Sequence, residues 1–567
     1  MQAAEGSAEE WVRGRVAEAE TALAPLDAFG PGAAGGDLLP AGEALLDDCR
    51  FAAEFVPREL GGRLERMDVL GRLVRPLCRR NLGLALGHGL TGHVAATPVW
   101  LAGTAAQRAW AAGLLLGGER FAVAGPAPTA DLPPDGPALR RDGNGRRLAG
   151  VGRGVCNFAR ARALTVVAAT AEGRHEVALV DRETLPAGAL RVLGTRAVAG
   201  LEGCEFSDLS FADCPVPAET LVGAPDHGGA TAARSSVVTR VMPQNMLIAA
   251  TDTLLRTATR FAVEHPGAGS WAPLRDPHVR EALTGALLNL LISDCLTTAA
   301  ARGLHLLPDR VSACATAAAH LVPRLLRDTA YALTAVLGAA HFDRRGPYGT
   351  FGRTLRDLSL LTRANAGNTG ALALLSAQLP RLARESWFRD SRRPPAALLR
   401  PWLDLPPARL AAVAPMSGAD PLVPVLLSGA GADGPQGDLV AAFVGELRDL
   451  KDRFTALDPG AVPSTPLLLA LADRYALVCA AAAGLGVWRE YHLTRRDTLL
   501  ADPVWITGAL HRLGRYLGSA VPDPPEDLER RLLDAVLDRH EQRISYDLHA
   551  TPVGPGPEAD LPARTGR

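Results

Sequence analysis

Apolar residues recur at helical spacing in two long parts of the chain, which flank a shorter part with a β-strand pattern. Between residues 1 and 118 they fall on one face of successive short helices, as in the run from Ala44 to Phe55, with glycine and proline between helices. Between 119 and 223, short runs such as Leu164 to Ala169 are rich in β-branched residues and are bounded by Gly, Asp and Pro. This pattern predicts an N-terminal helical domain followed by a small antiparallel sheet or barrel.

The helical pattern returns after residue 224 as long runs rich in Ala and Leu. It predicts a four-helix bundle over 224–385, with helices at about 236–264, 279–304, 311–340 and 354–384. A proline-rich break follows, and an additional helical domain is expected over 400–545. The last stretch, 551–567, is rich in Pro and Gly and is predicted to be a disordered tail. The fold class is therefore mainly α with a central β domain.

Composition narrows the possible functions. The chain has 567 residues, and its formal net charge of -1 gives no general attraction to nucleic acid or to an anionic membrane. Lys451 is the only lysine, which argues against Schiff-base chemistry. The eight cysteines are scattered without zinc-binding spacing, so no metal site is predicted. With no secretion signal and no apolar run of membrane-spanning length, a cytoplasmic protein is expected.

Several segments carry a specific family resemblance. They are FADCPVPAETLVG at 211–223, LAGVGRGVCN at 148–157, FVPRELGG at 55–62, and Arg240 with His265, which are 25 residues apart. Together they resemble the acyl-CoA dehydrogenases over about residues 40–385, and the region 400–545 resembles the extra helical domain of the longer members. The resemblance implies that family's fold, FAD as cofactor, and an acyl thioester of CoA or of an acyl carrier protein as substrate. It also implies a homodimer or homotetramer, or a heteromer with an active homologue.

The expected catalytic base is missing from this chain. In the family, an Arg-Asp pair matching Arg356 and Asp357 is followed nine residues after the Arg by a Glu, and that position holds Asn365 here. Some members carry the base at a second position, which matches Thr239. Neither a carboxamide nor a hydroxyl accepts a proton near neutral pH. Asp357, His341 and Asp343 are the remaining candidates, although Arg356 and Asp357 are expected to form a structural ion pair.

The positions that the resemblance assigns to the flavin are also altered. Gly154 stands where the family has a Trp that packs on the flavin ring, Cys156 replaces a Thr, and His265 replaces an Arg that reaches the pyrophosphate. These losses predict that FAD is weakly bound or absent, and the alternative is that FAD still binds through backbone amides and shifted side chains. The cofactor positions in full are Val123, Ala124, Gly154, Cys156, His265 and Gly269. The substrate positions are Arg240 and Ala130.

Three functions remain open. The first is a divergent dehydrogenase-like enzyme that acts on an acyl thioester in bacterial specialised metabolism, with non-standard catalysis. The second is a non-catalytic subunit that pairs with an active dehydrogenase. The third is a flavin-free enzyme that uses the thioester cleft for a non-redox reaction, with polar residues lining the cleft: Asn365, Asn368, Arg363 and Cys156.

Overall fold

A computed structural model of the chain describes residues 2–28, 39–125, 135–143, 145–196, 198–224, 227–265, 272–344, 346–364, 367–430, 435–457, 465–519 and 521–554. The N-terminal part is helical, as expected, and is followed by seven strands. The helices are α1 (Gln2–Ala22), α2 (Pro40–Asp48), α3 (Met67–Arg80), α4 (Leu82–Leu84), α5 (Thr91–Ala102) and α6 (Ala105–Leu116). The strands are β1 (Arg120–Ala124), β2 (Ala138–Asp142), β3 (Gly145–Cys156), β4 (Ala161–Thr170), β5 (His175–Asp181), β6 (Leu190–Thr195) and β7 (Phe206–Val216).

The rest of the described chain is helical. The bundle contains α7 (Gly228–Thr239), α8 (Val241–Glu264), α9 (Pro277–Leu306), α10 (Ser312–Leu337), α11 (Gly349–Ala364) and α12 (Gly367–Glu385). The C-terminal part contains α13 (Val423–Leu427), α14 (Pro435–Thr455), α15 (Pro466–Thr494), α16 (Thr498–Ala501), α17 (Pro503–Leu517) and α18 (Leu528–Glu541). The predicted mainly helical fold with a central β domain is therefore confirmed.

The sheet differs from the antiparallel arrangement that the sequence predicts. The strands are ordered β1-β4-β2-β3-β7-β6, and β5 pairs with β4. β4 runs parallel to β1 along Phe121–Ala124 and parallel to β2 for a short stretch, whereas the other pairs are antiparallel. The β2–β3 hairpin lies between β1 and β4 in sequence, so the chain has enough length to return and enter the sheet in the direction of β1.

The bundle differs from the predicted helices at its start. α7 ends and α8 begins around Arg240, which itself has helical dihedrals of φ -58° and ψ -26°, so the first bundle helix starts at 228 rather than near 236. The segment expected to form a helix over 354–384 is helical on both sides of residues 365–366, as α11 and α12, and those two residues lie outside the described chain. α9 and α10 match their predicted ranges within a few residues and form much of the buried core.

Two helices in the described chain, α9 and α15, are long and apolar enough to cross a membrane. In their most apolar windows, 94% and 72% of the residues are buried inside the protein. Burial of this kind is typical of core helices, whose apolar surface is covered by neighbouring helices rather than by lipid. The two helices are therefore weak evidence for a membrane span.

The C-terminal segment returns to the N-terminal helices after α18. Asp547 accepts a hydrogen bond from Arg75 in α3 (Nη1–Oδ2, 2.7 Å), and Ser545 donates its backbone N–H to Thr551 O (2.8 Å). Thr551 is buried, and Val553 donates its backbone N–H to Arg543 O. The predicted disordered tail of 551–567 is thus wrong for residues 551–554, because their backbone pairs with 543–545; residues 555–567 lie outside the described chain.

Candidate functional site

Thr239 and Arg240 lie at the junction of α7 and α8, beside α10. The Thr239 hydroxyl donates to Ser235 O (3.0 Å), so it is committed to its own helix. Arg240 Nη1 donates to the hydroxyl of Thr316 in α10 (2.8 Å), and that hydroxyl in turn donates to Ser312 O (2.6 Å). Among the described residues, no carboxylate forms an ion pair with Arg240. Burial lowers the pKa of Arg240 to about 10, because a desolvated cation without a counter-ion is destabilised.

The predicted ion pair between Arg356 and Asp357 is not formed. Asp357 is buried in α11, and its Oδ1 accepts the backbone N–H of Leu201 (2.8 Å). A Cβ at Gly200 would stand 2.8 Å from the same oxygen, so the loop before β7 packs directly on the carboxylate. Burial raises the pKa of Asp357 to about 6, while the Leu201 hydrogen bond opposes the rise. Asp357 therefore anchors a loop through its Oδ1, which accepts the Leu201 N–H.

A polar cluster forms where β3 ends against the helix before α5. The Thr91 hydroxyl donates to Leu86 O (2.8 Å) and lies 3.1 Å from Cys156 Sγ, which in turn lies 3.1 Å from Cys204 Sγ. Both cysteines are free thiols. Of this set only Cys156 is predicted from the sequence; Thr91 and Cys204 are missed, because they lie 65 and 48 residues away from it in the chain. The cluster occupies the position where the resemblance places the flavin-bonding Thr.

A π-helical segment, Ala85–Leu90, joins α4 to α5 beside this cluster. Asn157 follows Cys156 in a left-handed conformation (φ 53°), and its Oδ1 accepts the backbone N–H of Glu205 (2.9 Å). A Cβ at Gly87 would stand only 2.2 Å from Asn157 Nδ2, so this close approach requires glycine. Isolated π-helical turns within α-helices frequently occur at functional sites. The local backbone is therefore shaped around Asn157.

The other predicted flavin positions are accounted for by protein contacts. Gly154 has φ +61° and donates its N–H to Asp208 Oδ1 (2.8 Å), and the space beyond its Cα is open. His265 stacks on Phe261 (4.3 Å between ring centroids), with Nδ1 2.8 Å from Phe261 O. Val123 and Ala124 pair with Thr165 and Val166 of β4. Three predicted positions lie outside the described residues: Asn365, Ala130 and Gly269.

Whether the site suits FAD depends on the side chains at these positions. Gly154 offers no ring to stack on the flavin, and the Cys156 thiol already contacts a hydroxyl and a second thiol. The His265 ring is held against Phe261 and its Nδ1 against a carbonyl of its own helix. The described side chains therefore do not fit the contacts that the resemblance assigns to FAD.

Comparison with known proteins gives a match in structure alone. No protein-family model matches the chain, and no curated protein matches it. Butyryl-CoA dehydrogenase from Megasphaera elsdenii matches with a TM-score of 0.57 at 16% identity, over 66% of this chain and 98% of that one. The nitroalkane oxidase of Podospora anserina gives 0.55 at 18% identity, over 65% and 93%. The chain therefore has the acyl-CoA dehydrogenase fold.

A longer solved structure extends the match to the C-terminal helices. The acyl-CoA dehydrogenase of Bacillus anthracis, solved in complex with FAD, gives a TM-score of 0.67 at 14% identity. It covers 88% of this chain and 89% of its own, whereas the two shorter proteins cover about two thirds of this chain. The predicted resemblance to the longer form, with its additional helices, is confirmed at the level of the fold.

Proposed function

We propose that this protein acts on an acyl thioester, carried by CoA or by an acyl carrier protein, in the cytoplasm of a bacterium with specialised metabolism. The observation that supports the proposal is Arg240, a half-buried cation at a helix junction whose described hydrogen-bond partner is the neutral hydroxyl of Thr316. A buried cation without a counter-ion is unfavourable by itself. A thioester carbonyl that gains negative charge during reaction would supply the missing partner.

The proposed chemistry does not use a carboxylate base at the family's positions. Thr239 is a neutral hydroxyl bonded within its helix, Asn365 is a carboxamide, and the carboxylate of Asp357 holds the Leu201 N–H. The contribution that we assign to the chain is to bind the thioester and to polarise its carbonyl through Arg240. Such polarisation suits cyclisation, in which a nucleophile of the acyl group attacks the thioester carbonyl and the thiol leaves, because this reaction needs neither removal of an α-proton nor net oxidation.

Binding of octanoyl-CoA, measured by isothermal titration, tests the role of Arg240. Loss of a charge-assisted hydrogen bond of about 1.5–3 kcal/mol predicts that Arg240→Gln weakens binding roughly 10- to 100-fold. Arg234→Gln is the matched control, because Arg234 lies on α7, donates to the backbone oxygen of Ala411, and should leave binding unchanged. Octanoyl carrier protein is titrated in parallel to decide the carrier. Equal affinity of the two variants would refute the assignment.

Exchange of the α-protons of octanoyl-CoA in deuterium oxide tests the absence of the base. A positioned carboxylate would accelerate this exchange about 10²- to 10⁴-fold, so exchange at the uncatalysed rate is expected here. Absorbance of the purified protein between 350 and 500 nm tests the cofactor, and we expect no stoichiometric flavin. Rapid exchange together with a flavin spectrum would instead establish an ordinary flavin-dependent dehydrogenase.

The second candidate function is a non-catalytic subunit of a heteromer. The hydrogen bond from the Leu201 N–H to Asp357 favours it, because Asp357 then has a structural role in holding the loop before β7. Co-expression with a homologue that retains the family Glu, followed by light scattering, tests this possibility. A stable mixed dimer would favour the subunit over the enzyme if Arg240→Gln does not change its affinity for octanoyl-CoA.

A further inference from the structure

A separate cavity lies in the C-terminal part of the chain, between α13, α14, α15 and the segment 393–399. Its volume is about 390 Å³, which is in the range of sites for small organic ligands. Four buried apolar side chains form its wall: Leu399, Val425, Val440 and Leu485. Gly486 also lines it, and a Cβ there would stand 2.6 Å from Leu399 Cδ1. None of these residues belongs to the site around Arg240.

Two arginines give the same cavity a positive charge. Arg489 donates to Ser428 Oγ (2.7 Å), Ser428 O (2.7 Å) and Val425 O (3.4 Å), all of which are neutral acceptors. Burial, with a contribution from the charge of Arg393, lowers the pKa of Arg489. Arg393 is exposed at the rim, and neither arginine forms an ion pair within the described chain. The lining acid, Glu490, is already paired with Arg400.

The unused donors of the cavity suit an anion. Arg489 caps the carbonyl end of α13 through both terminal nitrogens, but its Nε donates to no described residue. The indole Nε1 of Trp488, another lining residue, is buried and has no hydrogen-bond partner among the described residues. Capping of α13 explains the position of Arg489, whereas it does not explain why Arg393 and an unpaired indole N–H line the same apolar cavity.

We propose that this cavity binds a carboxylate with an unbranched alkyl chain. The guanidinium of Arg489, with Arg393 at the rim, holds the carboxylate, because planar guanidinium donors match a carboxylate in geometry and charge. The alkyl chain lies against Leu399, Val425 and Leu485, where removal of its surface from water contributes most of the affinity. The site is independent of the thioester cleft and of the function proposed for it.

Titration with decanoate, followed by calorimetry and by tryptophan fluorescence, tests the proposal on the full chain. One equivalent is expected to bind, and Trp488→Phe identifies the part of the fluorescence change that arises in the cavity. Arg489→Met and Arg393→Gln should each weaken binding about tenfold, the value of a lost charge-assisted contact. Arg392→Gln is the matched control, because Arg392 is exposed beside Arg393 and pairs with Asp390.

A neutral ligand and a variant at the other site complete the test. Decanol, which has the chain without the charge, should bind about tenfold more weakly than decanoate, and Arg240→Gln should leave decanoate binding unchanged. Decanoate affinity that is the same in Arg393→Gln as in Arg392→Gln would overturn the proposal, even if Arg489→Met fails to fold. Equal binding of decanol, or loss of decanoate binding in Arg240→Gln, would also overturn it, since the ligand would then lie elsewhere or bind without its charge.

Discussion

Replacement of Arg75 by methionine should remove the centre of a buried ionic network. The Arg75 guanidinium donates to Asp294 (2.5 and 3.1 Å), to Asp547 (2.7 Å) and to the side-chain oxygen of Asn245 (2.8 and 3.1 Å). The three charged side chains are at most 3% exposed. Methionine has a similar length and no charge, so the variant keeps much of the packing and leaves two carboxylates without this cation.

The expected loss of stability is large. Breaking a buried ion pair by removing one partner costs about 3–5 kcal/mol, and here one guanidinium serves two carboxylates. Arg79 lies 3.6 Å from Asp547 and supplies part of the lost attraction, which keeps the estimate within that range rather than doubling it. Burial alone would raise the pKa of Asp547, but Arg75 and its neighbours hold it well below the ordinary value. In the variant, that pKa should rise.

Urea unfolding, followed by circular dichroism and tryptophan fluorescence, measures the effect. Arg140→Met is the matched control, because Arg140 and Asp213 form a pair whose side chains are 68% and 57% exposed. Exposed pairs contribute about 0–1 kcal/mol, so this control should unfold close to the wild type. Arg75→Lys keeps the charge and serves if the methionine variant is insoluble. Losses that are equal for Arg75→Met and Arg140→Met would refute the reasoning.

Three further predictions concern single positions. Thr104→Ala removes the cap of α6, whose Oγ1 accepts the N–H of Gln107 (3.2 Å), and should lower the free energy of unfolding by about 1 kcal/mol, with Thr104→Ser as the control. Gly87→Ala should destabilise by roughly 1–3 kcal/mol because its methyl group would overlap Asn157; restored stability in a Gly87→Ala, Asn157→Gly double variant would support this contact. Because the pKa of Asp357 is raised to about 6, the folded state binds this proton more tightly than the unfolded state. Relative to Asp357→Asn, the wild type should therefore lose up to about 3 kcal/mol of unfolding free energy as the pH rises from about 4 to about 6. A stability difference that is independent of pH would contradict this last assignment.

The order of helical and β regions could be predicted because hydrophobic periodicity records which residues face a core. The same pattern does not state which strands pair or in which direction. The parallel pairing of β1 with β4 was therefore missed, because the alternation of side chains around Val123 and Val166 is the same whether the two strands run parallel or antiparallel.

The candidate site was predictable only where a residue replaces one in a recognisable motif. Cys156 and Arg240 were identified in this way, but their partners Thr91, Cys204 and Thr316 belong to no motif and meet them only through the fold. The role of Asp357 depends on the backbone N–H of Leu201, and a backbone group has no signature in the sequence. Side-chain identity therefore indicated what was lost from the site, while the tertiary contacts show what the remaining groups do.

The contact between Arg75 and Asp547 joins positions separated by 472 residues. During synthesis on the ribosome, the helix that carries Arg75 emerges long before residues 545–551, so its guanidinium cannot meet that carboxylate until residue 547 has been made. Domains generally fold as units while the chain is still being made. For this protein, the buried region around Arg75 is complete only after residue 547 has been made, so a chain that stops before it leaves this guanidinium without one of its carboxylates and is expected to be a ready target for proteolysis.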